Sequence, residues 1–359
     1  MKKVIQIAGA YIGIIIGAGF ASGQEVLQFF TAFGWLGFIG TIIASTLFIF
    51  LGMNITQIGS RLQTQSHKEV VHHICGKYIG LAVDFIITFF LFGVAVIMFA
   101  GAGSTFEQQF GIPQAIGSLI MVLLTVFTCF FNVDRVITII GSITPFLILL
   151  VIIISGYALF TADAGFTVLN TMAQESGNAA ASNWMLGSVL YVSFNITCGV
   201  AMLAVMGGTT KNEKQAGWGG ILGGVGLGIL LILINIGMYT RIGDVGGLDI
   251  PMLYIANEIS PAVGMIMSIV LLAMIYNTAV GMIYGFSARF MKPKGKQFKG
   301  FVSAVGLVGY GSSFVGFTTL VGTLYPITGY LGLVLIAAII IAWFRSKKTA
   351  SQPLKKMSA

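Results

Sequence analysis

Two polar clusters interrupt a sequence that is otherwise apolar for about 20 residues at a time, the length that crosses a bilayer as a helix. The first, IGAGFASGQE, runs from Ile16 to Glu25 and brings glycines, a serine and a carboxylate into an apolar segment. The second, SFNITCG, runs from Ser193 to Gly199. Unwinding a helix in lipid leaves amides and carbonyls unpaired, at several kcal/mol per group unless protein, water or ligand satisfies them. Such clusters therefore read as places where something polar is held. Gly17, Gly19 and Gly23 permit positive φ and close approach to the backbone. The amides of Ala18, Gly19 and Phe20 are natural partners for a carboxylate. Ser22 and Glu25 also match the S-x-x-E capping box. Glu25 thus has two readings: it caps the outer half-helix, or it pairs with a substrate amine or carries a coupling proton.

In the second cluster Ser193, Asn195 and Thr197 offer oxygens, and the carbonyls before Cys198 and Gly199 suit an ammonium or an alkali cation. Phe194 would give an apolar wall. The competing reading is a helix kinked by Asn and Gly, with polar side chains bonding neighbouring helices. Its position opposite the first cluster favours a site. Asn277 and Thr278 are adjacent polar residues in a further apolar segment and offer hard oxygens to sodium, or a bond to a neighbouring helix. His67, His72, His73 and Cys75 have spacings a metal could use, yet read better as an interfacial polar stretch with few carboxylates to support a metal. Gly220, Gly224 and Gly228, four residues apart, read as a close-packing helix face. Asp134 and Arg135 read as a local pair, and Asp84 as a gate residue or one that snorkels to water. No nucleophile, base and orienting acid sit together, so no enzyme is expected. No cofactor is implied beyond a coupling ion.

The elements that must position these residues are membrane helices. The chain is 57% apolar and only 8% charged, with a mean hydropathy of +0.96. Ten spans are expected, near 4–33, 35–58, 78–106, 113–131, 135–160, 182–208, 216–240, 262–290, 299–317 and 322–344. If the connections alternate sides, every Lys and Arg except Arg241 falls on one side, so the positive-inside rule places both termini in the cytoplasm. The net charge of +8 is then a topology signal and a lipid attraction, not a nucleic-acid surface. The outer segments 161–181 and 241–261 are acidic, either lids over an entrance or solvated connectors. The three cysteines are too far apart for a disulfide framework or a cysteine metal site. Interrupted helices at spans one and six divide the chain into a first five-helix repeat over 1–160, an outer connector over 161–181, an inverted second repeat over 182–344 and a basic tail over 345–359.

The glycine-rich IGAGFASGQE resembles the first-helix motif of the amino acid-polyamine-organocation superfamily, and the whole chain resembles the YkvI-like bacterial membrane proteins placed within it. The resemblance implies an all-α polytopic fold, the LeuT-like five-plus-five inverted repeat with helices 1 and 6 broken. It also implies a secondary transporter of a small amino-acid-like solute, sodium-coupled and needing no obligate protein partner. By that similarity the Ala18 and Gly19 amides receive a substrate carboxylate, and carbonyls around Ser193 to Asn195 its amine. A sodium ion would lie among the carbonyls of Gly13, Ile16 and Met274 and the side chains of Asn277 and Thr278. The fifth span has none of the lysine by which some proton-coupled relatives replace that ion. The alternatives are proton coupling through Glu25, or a nutrient sensor of the same fold.

Overall fold

The computed structural model describes residues 1–63, 67–131, 144–162, 164–293 and 295–350. The first apolar segment is built of three pieces, α1 (Lys2–Ile15), α2 (Ala18–Ser22) and α3 (Gln24–Phe29). After a 3-10 turn come α4 (Trp35–Leu62), α5 (His67–Phe110), α6 (Gln114–Cys129), α7 (Thr144–Phe160) and α8 (Phe166–Glu175). The second half contains α9 (Trp184–Gly208), α10 (Glu213–Thr240), α11 (Ile242–Val245), α12 (Pro251–Ile259), α13 (Pro261–Phe290), α14 (Lys296–Ser313) and α15 (Phe317–Ala350). Among the described residues, five helices are individually long and apolar enough to cross a membrane, or six if the bent α9 counts as one span. α6 and α7 are shorter apolar helices. The protein is therefore a multi-pass helical bundle, and a count of ten crossings goes beyond that measure.

Local sequence explains several boundaries. Asn183 caps α9 by accepting from Leu186 N–H at 2.9 Å, and Ser260 caps α13 by accepting from Val263 N–H at 3.2 Å. Pro251 and Pro261 stand in the first turns of α12 and α13, where a missing N–H costs nothing.

Because lipid tails are as apolar as leucine, helices here associate through close packing and interhelical hydrogen bonds. A side chain on Gly220 would strike the Gly52 backbone, and one on Gly224 the backbone of Ile49. Gly228 lies likewise against Ser45. The four-residue glycine spacing of α10 is thus its contact with α4. Further along α4, Gly59 meets Ala204 and Thr56 meets Gly207, both partners being on α9. Thr56 donates to the Ala216 carbonyl at 2.9 Å, and Tyr11 to the Phe48 carbonyl at 2.9 Å.

The segment 241–261 is not a solvated connector. Met252, Leu253, Ile255 and Ala256 of α12 are buried in the main core. Asp84 pairs with Arg289 of α13 at 2.8 Å, so it joins two helices instead of standing alone at a gate. The pair Asp134–Arg135 and the first part of the fifth expected span lie outside the described residues, as do the side chains of His67, His72, His73 and Cys75.

Candidate functional site

The first apolar segment breaks at Ile16 and Gly17. Gly17 is extended, at φ −94° and ψ −175°, and its N–H turns to the Ile15 carbonyl at 2.9 Å instead of reaching back to Gly13. Gly17 therefore needs no positive φ. A second interruption follows at Gly23, where φ is +84° and a side chain would meet Met252 and Met238. Only glycine takes that conformation cheaply.

This second interruption corrects the capping box. Gly23, not Ser22, is the N-cap of α3. Ser22 Oγ accepts from Gln24 N–H at 3.2 Å and donates to the Gly19 carbonyl at 2.8 Å, so it braces the joint between α2 and α3. Glu25, freed from the cap, folds back over α2, and its carboxylate fills the space a side chain on Gly19 would take. It is 4% exposed. The hydroxyls of Tyr325 and Tyr191 flank it. The Tyr191 hydroxyl makes no hydrogen bond among the described residues. No described cation pairs with Glu25.

The second cluster behaves differently from the sequence expectation. Helical bonding runs on through Ser193 to Gly199, and α9 bends by 54° between Trp184–Val200 and Met202–Gly208. Ser193 donates to the Gly329 carbonyl at 2.7 Å, and Thr197 to the Ser193 carbonyl at 2.8 Å. Both hydroxyls lie against Gly332 of α15. Ser193 and Thr197 are therefore packing residues between α9 and α15, and the Ser193 carbonyl is already engaged. Asn195 donates to the Tyr191 carbonyl at 2.9 Å. Phe194 does reach the centre, stacked on Tyr325 at 4.4 Å between centroids and edge-on to Tyr191 at 5.3 Å. Phe20 is fully buried beside the break.

A cleft of about 640 Å³ reaches the break from the side on which α1 begins. Gly13, Ile16 and Gly17 form one wall, and Met274, Asn277 and Thr278 of α13 face them. All five residues expected around a sodium ion thus line one cavity. Asn277 Oδ1 is buried there without a hydrogen-bond partner, an orphaned hard acceptor of the kind an alkali cation satisfies. Met202, Met206 and Met282 add adaptable apolar surface, and Thr144, Pro145 and Ile148 of the α7 start also line it.

On the far side of the break the elements are tied together. Asp249 accepts from Ser104 Oγ of α5 at 2.6 Å and from Thr318 Oγ1 of α15 at 2.5 Å. Thr318 in turn accepts from Gln24 Nε2 at 3.1 Å on its hydroxyl and from Gln28 Nε2 at 3.0 Å on its carbonyl. Gln108 adds reciprocal bonds with the Ile250 backbone at 2.9 and 3.3 Å. Sequence reasoning missed Tyr191, Tyr325 and this latch. The signals available were a tyrosine just before SFNITCG, a Tyr-Pro pair inside the last span and an Asp before Pro251, each mute without its distant partners.

No family model matches the chain. Over 342 residues it is 28% identical to the uncharacterized membrane protein YkvI of Bacillus subtilis (strain 168), covering 93% of this chain and 94% of that protein. Among solved structures it resembles Mhp1 in an inward-facing conformation, with a TM-score of 0.65 and 15% identity over 92% of this chain and 73% of that one. It also resembles a substrate-bound, outward-open Na+-coupled sialic acid symporter, with a TM-score of 0.57 and 14% identity over 94% and 78% of the two chains. For MhsT in complex with L-phenylalanine the TM-score is 0.57, at 16% identity over 92% and 88%. The fold is that of these transporters.

Proposed function

We propose that the protein is a secondary active transporter of a small amino-acid-like solute, zwitterionic or cationic, taken up with sodium by alternating access. The observation that carries this reading is the cleft, which reaches a broken helix from one side while Asp249 and its partners tie the opposite side shut. A central break reached from one face at a time is one half of an alternating-access cycle. The likeness to a Na+-coupled symporter and to a structure holding L-phenylalanine supports the same direction.

In this reading the chain makes ten crossings of the bacterial plasma membrane with both termini cytoplasmic, as two inverted five-helix repeats within the amino acid-polyamine-organocation superfamily. The cleft is then the cytoplasmic exit. Sodium would be held by the Gly13 and Ile16 carbonyls of the first helix and by Met274, Asn277 and Thr278 of α13. The solute would lie between the break, Gly17 to Glu25, and the face of α9 that carries Tyr191 and Phe194. Sodium bridging α1 and α13 favours one arrangement of the break over another, and it can shift that equilibrium only by its differential affinity for the two. Glu25, buried without a cation, favours a second reading, in which its carboxyl carries a coupling proton.

Thermal stabilisation of the purified protein by amino acids and amines, in sodium and in potassium, tests the reading, because a ligand of the folded state raises stability by mass action. Stabilisation that needs sodium supports it. Sodium-independent stabilisation, with uptake abolished by Glu25→Gln, would transfer coupling to the proton. Binding without flux in liposomes would make the protein a sensor.

A further inference from the structure

The chemistry around the break is lopsided. The polar groups that α3 leaves unspent are acceptors: the Glu25 carboxylate, Gln24 Oε1 and Gln28 Oε1, the two amide oxygens being buried without partners. Both amide nitrogens are committed to Thr318. Carboxylate and aromatic rings come together here, with Phe194 and Tyr325 parallel within 3° and Tyr191 perpendicular to Phe194 at 89°. Phe29 closes the group at 5.5 Å from Tyr191 and 5.7 Å from Phe194. A net negative charge in so buried a place needs a proton or a cation, since phenol hydroxyls soften the charge without cancelling it. Tyr191 and Tyr325 bring their hydroxyls to that charge and Phe194 packs on both rings, an aromatic surround that attracts an ammonium and not an anion.

The same carboxylate works against a zwitterion. The Gly19 amide, which sequence resemblance offers to a substrate carboxylate, has Glu25 lying directly over its residue. An incoming carboxylate would meet a like charge at the amide that the resemblance offers it. The cleft lining reaches Gly17, two residues from the glycine that Glu25 covers, so a solute coming from the cleft reaches the carboxylate by moving it off Gly19.

The geometry points to an organic ammonium lacking a carboxylate as the solute, its charge held by Glu25 and its flank by Phe194, Tyr325 and Tyr191. This assignment rests on the transporter reading and narrows its substrate class.

The test uses pairs that differ only by a carboxylate: methylammonium and glycine, isobutylammonium and valine, 2-phenylethylammonium and phenylalanine, cadaverine and lysine. Binding to the purified full chain is read by melting shift and calorimetry, and flux in proteoliposomes. At least one ammonium binds about tenfold or more tightly than its amino acid. Glu25→Gln abolishes that preference while its ligand-free melting point stays near wild type. If Glu25→Gln fails to fold, Phe194→Leu serves, and it weakens ammonium binding by about tenfold, between the exposed and the desolvated cation–π contact. An amino acid binding as tightly as its amine, unchanged ammonium binding in Glu25→Gln, or no binding by any ammonium would overturn the assignment. Sodium-driven uptake of an amino acid would refute the substrate class and leave the transporter standing. Ammonium binding without flux would do the reverse.

Discussion

Asn277 carries an amide oxygen that no donor among the described residues satisfies, and burying such an acceptor costs about 1–3 kcal/mol. A packed helix would shed that cost by substitution, so its presence at a cleft wall beside the Gly13 and Ile16 backbone points to a ligand that offsets it. Asn277→Leu should melt no lower than wild type in potassium, and should lose the stabilisation that sodium gives the wild type. Thr278→Ala should raise the sodium concentration needed for half-maximal uptake by about tenfold, one lost charge-assisted contact being of that order. Sodium titrations of melting point and of uptake read both. Glu25 is the opposite case, an acceptor whose neighbours are known and whose charge partner is not a residue of the described chain. Its burial was foreseeable from its position in an apolar segment, but its orientation was not. The S-x-x-E spacing fits a cap on paper; Gly23 at positive φ moves the helix start by one residue, and the carboxylate is left free to fold onto Gly19.

At the scale of the helices, glycine spacing was the most legible feature. Gly220 and Gly224 stand on one face because four residues is about one turn, and that face meets α4 backbone to backbone. Gly220→Ala should therefore destabilise the protein by about 1–3 kcal/mol, as overpacking does. Gly311→Ala, where an added methyl meets nothing within 4 Å, should be neutral or slightly stabilising through helix propensity. Melting of the two variants in one detergent checks the contrast. On α9 the bend falls just past the polar cluster, between Val200 and Met202, and the cluster itself packs. Ser193 and Thr197 are also one turn apart, and the sequence says that they share a face but not which helix they meet. The partners, Gly329 and Gly332, lie more than a hundred residues away. Tyr191 and Tyr325 were hidden for the same reason. The segment 241–261 was legible as acidic only. That Asp249 accepts from both α5 and α15 is a fact of tertiary structure, and it gives the segment a role. Asp249→Ala should loosen this side, raising labelling from outside of a cysteine placed at Gln28.

For the whole molecule, the cleft on one side of the break and the latch on the other describe a single state, open toward the end where α1 begins. The proposed transport cycle also requires the opposite one, with the Asp249 latch released and the cleft closed around Asn277 and Thr278. Sodium, if it bridges the break and α13, closes the cleft it occupies. The most direct measurement is cysteine accessibility in sealed proteoliposomes of known orientation, with the three native cysteines replaced by alanine. Single cysteines go to Met206 in the cleft and Gln28 beneath the latch. In potassium, Met206→Cys should label from the inner side while Gln28→Cys is protected. Sodium should slow the first and speed the second by comparable factors. Labelling at both positions that ignores sodium, or that rises and falls together, would contradict alternating access through this break.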